Sequence, residues 1–204
     1  MSDVGTNINV ERGNWKFDSS VVDNFQEHIK TSVPLYTEGH EMICMLSDYF
    51  CENGSYVYDI GCSRGELIKK LAAYSNLSLN IIGIESECSF AEAASYEISS
   101  KNEEKNPFSN HNIQIVNESI LDSSLSESSL ITSYYTMQFI HPRYRQDLFD
   151  KIYSSLHWGG AFIIFEKVRA NDARFQDILS QTYLEYKTLK GFSKDEVISK
   201  LFSL

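Results

Sequence analysis

The sequence predicts an α/β fold, a mostly parallel sheet with helices on both faces. Three observations carry this expectation. Short runs of β-forming residues alternate with amphipathic segments between residues 56 and 165. Runs such as NIIGIE (80–85) are mostly apolar without strict alternation, as strands buried on both faces are. The first such run ends in a glycine turn that opens directly into a helix.

The elements follow in order. Residues 1–17 read as a polar N-terminal arm without periodicity, and 18–204 as one domain. Asp18, Ser19 and Ser20 offer N-caps to a helix whose face is Val21, Val22, Phe25 and Ile29, and which Pro34 ends. A second helix spans 38–51, with Ile43, Leu46 and Phe50 on one face and Gly54 as its stop. The first strand is 56–60 (YVYDI), followed by a helix with Leu67, Ile68, Leu71 and Ala72 inward. The second strand is 80–85 and the next helix 89–99. A polar loop over 101–110 carries Pro107, and 113–116 is the third strand. Residues 121–129 are a Ser- and Asp-rich loop, and 130–135 the fourth strand. Pro142 starts a helix carrying Leu148, Ile152 and Leu156; Gly159-Gly160 is a turn. Residues 161–165 (AFIIF) read as the fifth and most buried strand, and helices over 172–187 and 194–202 close the chain.

Composition excludes several classes. Hydrophobic residues are 42% and charged residues 23%, a globular balance rather than a disordered or collagen-like one. With 18 basic against 28 acidic residues the net charge is −10, so the chain is not broadly steered to phosphate backbones. Direct nucleic-acid binding is therefore not expected. The apolar runs are too short to span a bilayer, and residues 1–17 lack a basic region followed by an apolar stretch. Cysteines 44, 51, 62 and 88 form no C-x-x-C pair and have no histidine at zinc spacing, so reduced thiols, a cytoplasmic location and no metal are expected.

Ligands in such folds bind beyond the carboxyl ends of the strands. There the sequence places V-Y-D-I-G-C-S-R-G (57–65), in which Gly61 allows a tight turn and close approach of a ligand to the backbone. The spacing is neither G-x-G-x-x-G nor a P-loop. The D-x-G-x-x-x-G pattern of Asp59, Gly61 and Gly65 instead resembles the first motif of class I methyltransferases, whose loop holds the methionine part of S-adenosyl-L-methionine (SAM). Glu85 ends the second strand, 24 residues after Gly61, where an acceptor-only carboxylate suits ribose hydroxyls. Ser119, Ile120 and Asp122 follow the third strand, at the corner where SAM folds hold adenine by a polar side chain and a backbone amide. After the fourth strand come Ser133 to Pro142, with no Asn/Asp-Pro-Pro-aromatic motif and no Pro-Cys anywhere. His141 reads as a helix-start residue in preference to a general base, and Arg143 and Arg145 as solvated charges in preference to an anion site.

Several segments together resemble the carboxy-S-adenosyl-L-methionine synthases. They are F-D-S-S-V-V-D-N-F (17–25), S-V-P-L-Y (32–36), V-Y-D-I-G-C-S-R-G (57–65), T-M-Q-F (136–139), D-K-I-Y-S-S-L-H-W-G-G-A (150–161) and F-E-K (165–167). The resemblance implies a Rossmann-like class I methyltransferase fold, a dimer, and conversion of SAM and prephenate to carboxy-SAM through a sulfonium ylide that captures released CO₂. A partner enzyme then uses carboxy-SAM in tRNA modification. It implies ligand contacts at Tyr36, Gly61, Cys62 and Ser63, with Glu85 and Ser86 at the ribose and Ser119-Ile120 at the adenine. Two departures stand out: Tyr134 replaces the family's Asn, and Leu201, beside Lys200, replaces the Arg that pairs with the added carboxylate.

The sequence ends short of the family's last helix and final strand pair, so an exposed sheet edge is expected, and with it a homodimer or a hetero-complex. These features predict a SAM-binding transferase that makes carboxy-SAM or methylates a small molecule. The competing reading is a non-catalytic SAM-fold module that binds a protein partner.

Overall fold

The computed structural model describes residues 2–3, 8–10, 19–99 and 108–203. In chain order the elements are β1 (Ser2–Asp3), β2 (Asn9–Val10), α1 (Ser19–Ser32), α2 (Tyr36–Ser47), β3 (Tyr56–Ile60), α3 (Glu66–Tyr74), β4 (Asn80–Glu85) and α4 (Cys88–Ser99). There follow β5 (Asn112–Asn117), β6 (Ser128–Tyr134), a 3₁₀ turn (Met137–Phe139), α5 (Pro142–Ser155), β7 (Leu156–Phe165), α6 (Ala173–Leu189) and α7 (Lys194–Ser203). Asp18, and residues 101–107 of the polar loop with Pro107, lie outside the described residues. The chain divides into two compact units, 38–167 and 1–37 with 168–204.

The larger unit is a five-stranded sheet in the order β5-β4-β3-β6-β7, every pair parallel. Because strand side chains alternate between faces, each strand feeds two cores. On one face Val57, Ile81 and Leu130 meet Ile68, Leu71 and Ala72 of α3 and Cys44 of α2. On the other, Tyr58, Ile60, Ile84 and Ile131 meet Leu148 and Ile152 of α5. The inner face expected for α3 is its buried set, Leu67, Ile68, Leu71 and Ala72.

The structure corrects the sequence reading at β7. Gly159-Gly160 is not a turn between elements but lies inside this strand. Ser128 pairs with Leu156 whereas Leu130 pairs with Ala161, so the intervening residues bulge out, with Gly159 at φ +89°. Nor is 161–165 the most buried strand. Among the described residues β7 has a neighbour on one side only, which leaves Ile164 41% exposed, while β6, flanked on both sides, is buried from Ser128 to Ser133. The second helix also runs earlier than expected, starting at Tyr36 and ending at Ser47.

In the smaller unit β1 and β2 pair antiparallel within the expected arm. The Tyr183 hydroxyl of α6 donates to the Ser32 carbonyl of α1 at 3.1 Å. Lys187 is buried, its ammonium 3.3 Å from Ser32 Oγ and 3.7 Å from the Phe192 ring centre. Burial pulls this ammonium down to about 8. All four cysteines are free thiols. Among the described residues, no helix is long and apolar enough to cross a membrane, and no His, Cys, Asp and Glu cluster could hold a metal ion.

Candidate active site at the carboxyl ends of the strands

Strand register brings the predicted residues of the larger unit to one edge. Ile60 pairs with Ile84 on one side and Ser133 on the other, and Glu85 pairs with Asn117. Beyond Ile60 the chain turns sharply. The Gly61 and Cys62 amides both donate to the Ile84 carbonyl, at 2.8 and 3.2 Å. Gly61 has φ +71°, and a Cβ there would lie 2.3 Å from Thr136 Oγ1 and 2.4 Å from its Cγ2. Only glycine lets the loop after β6 close on this turn.

Ser63 also has a left-handed backbone, at φ +51°, without being glycine. What holds it is Glu85: the Ser63 amide donates to Glu85 Oε2 at 2.8 Å, and the Glu87 amide donates to Oε1 at 3.0 Å. A carboxylate has about four acceptor positions, so capacity remains for two hydroxyl donors. Burial raises the Glu85 pKa, against the pull of these amides. The Ser63 hydroxyl is buried without a partner among the described residues. Asn117 steadies the strand end by donating to the Glu85 and Ser86 carbonyls at 2.9 and 3.2 Å.

Two other motif residues turn inward. Asp59 is buried beneath the turn and accepts from Thr132 Oγ1 of β6 at 2.9 Å. Burial pushes its carboxyl up to about 7, with the Thr132 bond opposing and the Glu85 charge reinforcing. The Cys62 thiol joins the core on the α3 face and fills the space that bare Gly83 leaves, so this residue offers the site only its backbone. Burial raises its pKa well above the ordinary thiol value.

At the corner after β5, the Ser119 hydroxyl accepts from the Leu121 amide at 3.2 Å. The Ser119 carbonyl accepts from the Asp122 and Ser123 amides, each at 3.0 Å. The Ile120 side chain is buried in the α5-face core, while Asp122 is exposed. Among the described residues nothing accepts from the Ile120 amide.

After β6, Tyr134 packs between His40, Tyr135 and Phe165, with ring centres 4.4, 5.1 and 5.0 Å away. Its hydroxyl stands 2.1 Å from where a Cβ on Gly39 would be, so the tyrosine and that glycine depend on each other. Burial raises the phenol pKa. His141 is the N-cap of α5, its Nδ1 accepting from the Arg143 amide at 3.2 Å. Arg143 lies over the Tyr144 ring. Arg145 is not a solvated charge: it donates to the Ile140 and Gln138 carbonyls at 2.9 and 3.3 Å. Tyr36, at the start of α2, and Leu201, half-exposed on α7 beside Lys200, belong to the smaller unit.

Three residues to which the motif reading gave no role hold this edge together. Thr136 covers Gly61. Glu166 accepts from the Met137 amide at 2.6 Å and so fastens the 3₁₀ turn. Lys151 of α5 donates to three carbonyls of the corner after β5. Glu166 and Lys151 lie in the F-E-K and D-K-I-Y segments of the resemblance, which was their only signal in the sequence.

The architecture and this edge can now be set beside known proteins. No family model matches the chain. The carboxy-S-adenosyl-L-methionine synthase of Staphylococcus epidermidis is 34% identical over 191 residues, spanning 93% of this chain and 79% of the relative. This chain belongs to the carboxy-S-adenosyl-L-methionine synthase family. The Escherichia coli synthase is 32% identical over 191 residues, 92% of this chain and 74% of its own. Solved structures agree on the fold. A Methanococcus maripaludis protein assigned to the SAM-dependent methyltransferases matches with TM-score 0.59 at 21% identity, over 87% of this chain and 75% of its own. The plantazolicin methyltransferase, solved with SAH, matches with TM-score 0.58 at 13% identity, over 89% and 62%. The chain is thus methyltransferase-like in fold and related to carboxy-SAM synthase.

Proposed function

We propose that the chain binds SAM along the carboxyl edge of β3, β4, β5 and β6 and acts on its sulfonium-bound carbon. The observation that carries this reading is the Gly61–Ser63 turn docked on Glu85. Bare Gly61 lets Thr136 close over the turn, and the buried Ser63 hydroxyl has no partner among the described residues and is free to meet the amino-acid part of the ligand. Glu85 retains acceptor capacity for the ribose, and the Ile120 amide can donate to a ring nitrogen of adenine.

Family membership favours carboxy-SAM formation. In that reaction the methyl carbon loses a proton and gains a carbon–carbon bond to the CO₂ released from prephenate. Prephenate loses hydroxide, which leaves as water with that proton, and becomes phenylpyruvate. The contribution of these residues is to fix the ligand; no catalytic base is assigned. Methyl transfer to a small molecule is the second reading, and Leu201 favours it, because an apolar side chain cannot pair with an added carboxylate.

The test is purified protein with SAM and prephenate, read by chromatography and mass spectrometry. Phenylpyruvate and carboxy-SAM appearing together is the expected result. SAM bound with no phenylpyruvate, and S-adenosylhomocysteine accumulating with cell-extract metabolites, overturns carboxylation in favour of methyl transfer. Failure to bind SAM leaves the partner-binding module.

A further inference from the structure

Lys151 sits on α5, yet its ammonium is spent on the corner after β5. It donates to the carbonyls of Ile120, Leu121 and Ser123 at 3.0, 2.8 and 2.9 Å. An ammonium has three protons, so this loop takes its whole donor capacity. A surface lysine would give up such freedom of its long side chain only for a strong return, and charge-assisted bonds are the stronger kind. Three convergent carbonyls also carry partial negative charge that the cation offsets.

The consequence lies on the other side of the same peptides. In a trans peptide the N–H points opposite to the C=O. With the carbonyls of 120, 121 and 123 drawn to Lys151, the amides of 121 and 122 fold back on Ser119, at its hydroxyl and its carbonyl. The Ser123 hydroxyl, with one proton to give, lies 2.9 Å from the same Ser119 carbonyl and 3.0 Å from Glu118 Oε2. The Ile120 amide belongs to the peptide of the Ser119 carbonyl, which these bonds hold, and it is left, like the amides of the less buried Ser119 and Ser124, with no acceptor among the described residues. A buried amide without an acceptor is costly and uncommon, and here it sits at the carboxyl edge beside the strand end that carries Glu85.

The structure assigns Lys151 as a positioning residue for the nucleoside half of the ligand: it winds the corner after β5 so that the Ile120 amide is aimed at an adenine ring nitrogen. This rests on the proposed SAM site. Lys151 touches no ligand itself, so its effect is confined to one end of the molecule. Glu166 provides the contrast. It fastens the 3₁₀ turn behind Thr136 and Gly61, at the amino-acid end.

The experiment compares Lys151→Met and Glu166→Met with the unaltered protein, well below each melting temperature. Calorimetry measures SAM and, separately, adenosine. Amide hydrogen exchange is followed without ligand at 119–124 and at 61–65. Lys151→Met is expected to weaken SAM and adenosine by the same factor, about tenfold for one misaimed hydrogen bond, and to speed exchange at 119–124 only. Glu166→Met, which removes the acceptor of the Met137 amide, is expected to weaken SAM and leave adenosine unchanged. Lys151→Met that lowers the melting temperature but changes neither affinity makes the lysine merely structural and overturns the assignment. So does a loss on SAM without a loss on adenosine. If the unaltered protein binds neither ligand, the proposed function fails together with the adenine role. Unchanged exchange at 119–124 instead refutes the clamp itself, whether or not SAM binds.

Discussion

Gly61→Ala tests how the turn after β3 is built. The added methyl meets three atoms of Thr136, at 2.3, 2.4 and 2.9 Å, all inside normal contact distance. One of them is Thr136 Cβ, so a rotamer change cannot relieve the clash and the loop must move. The backbone adds a second cost, because φ is +71° and an L-residue there loses about 1–2 kcal/mol. Overpacking costs a further ~1–3 kcal/mol, so the sum expected from denaturant unfolding is about 2–5 kcal/mol. SAM affinity should fall at least tenfold, since the turn and the loop closing on it both shift. Thr136→Ala removes the two closest of the three clashing atoms and keeps Cβ at 2.9 Å, so the pair Gly61→Ala/Thr136→Ala should recover most of the steric part while the backbone part remains. A Gly61→Ala protein with unchanged stability and unchanged SAM affinity would refute this reasoning. Full recovery in the double variant would refute the backbone part alone.

Three further outcomes follow from the same geometry. Glu85→Ala removes the acceptor of the Ser63 and Glu87 amides; SAM affinity should drop about tenfold or more in calorimetry, and an unchanged affinity would remove Glu85 from the site. Asp59 has a folded pKa of about 7 against an ordinary 3.8, so the folded state holds a proton that the unfolded chain has lost between those values. Its stabilising effect is present below pH 3.8 and lost as pH rises to 7, so Asp59→Asn should gain on the unaltered protein across that window, by about 4 kcal/mol in chemical unfolding; equal pH profiles would contradict the burial argument. Lys187 has the opposite sense: its folded pKa of about 8 lies below the ordinary 10.5. The unfolded chain then holds the extra proton, and stability should rise between pH 8 and 10.5 by about 2 kcal/mol relative to Lys187→Met; an absent difference would mean that burial does not perturb this ammonium.

Much of the larger unit could be read in the sequence, and the reason is local. YVYDI and NIIGIE are short, β-forming and bounded by turn residues, and both strands begin and end at the expected positions. α3 showed its inner face through 3- and 4-residue spacing. AFIIF misled for a physical reason: an apolar run reports that a strand prefers burial but not how many neighbours it has, and β7 lies at the edge. Gly159-Gly160 misled because a glycine pair serves a bulge as well as a turn. At the site, Gly61 and Glu85 were legible because the strand–turn–helix rule fixes their distance along the chain. Which way the Cys62 thiol faces was not, because that depends on the missing side chain of Gly83. Lys151 and Glu166 act on backbone groups 28 to 31 residues away, and no local pattern encodes such a partner.

The account stands most directly on what the protein carries when freshly purified and denatured. Mass spectrometry of the released small molecules should find SAM, S-adenosylhomocysteine or carboxy-SAM with the unaltered chain, and far less with Gly61→Ala. No such nucleoside, together with no heat of SAM binding to the unaltered protein, would contradict the claim that this edge is a SAM site.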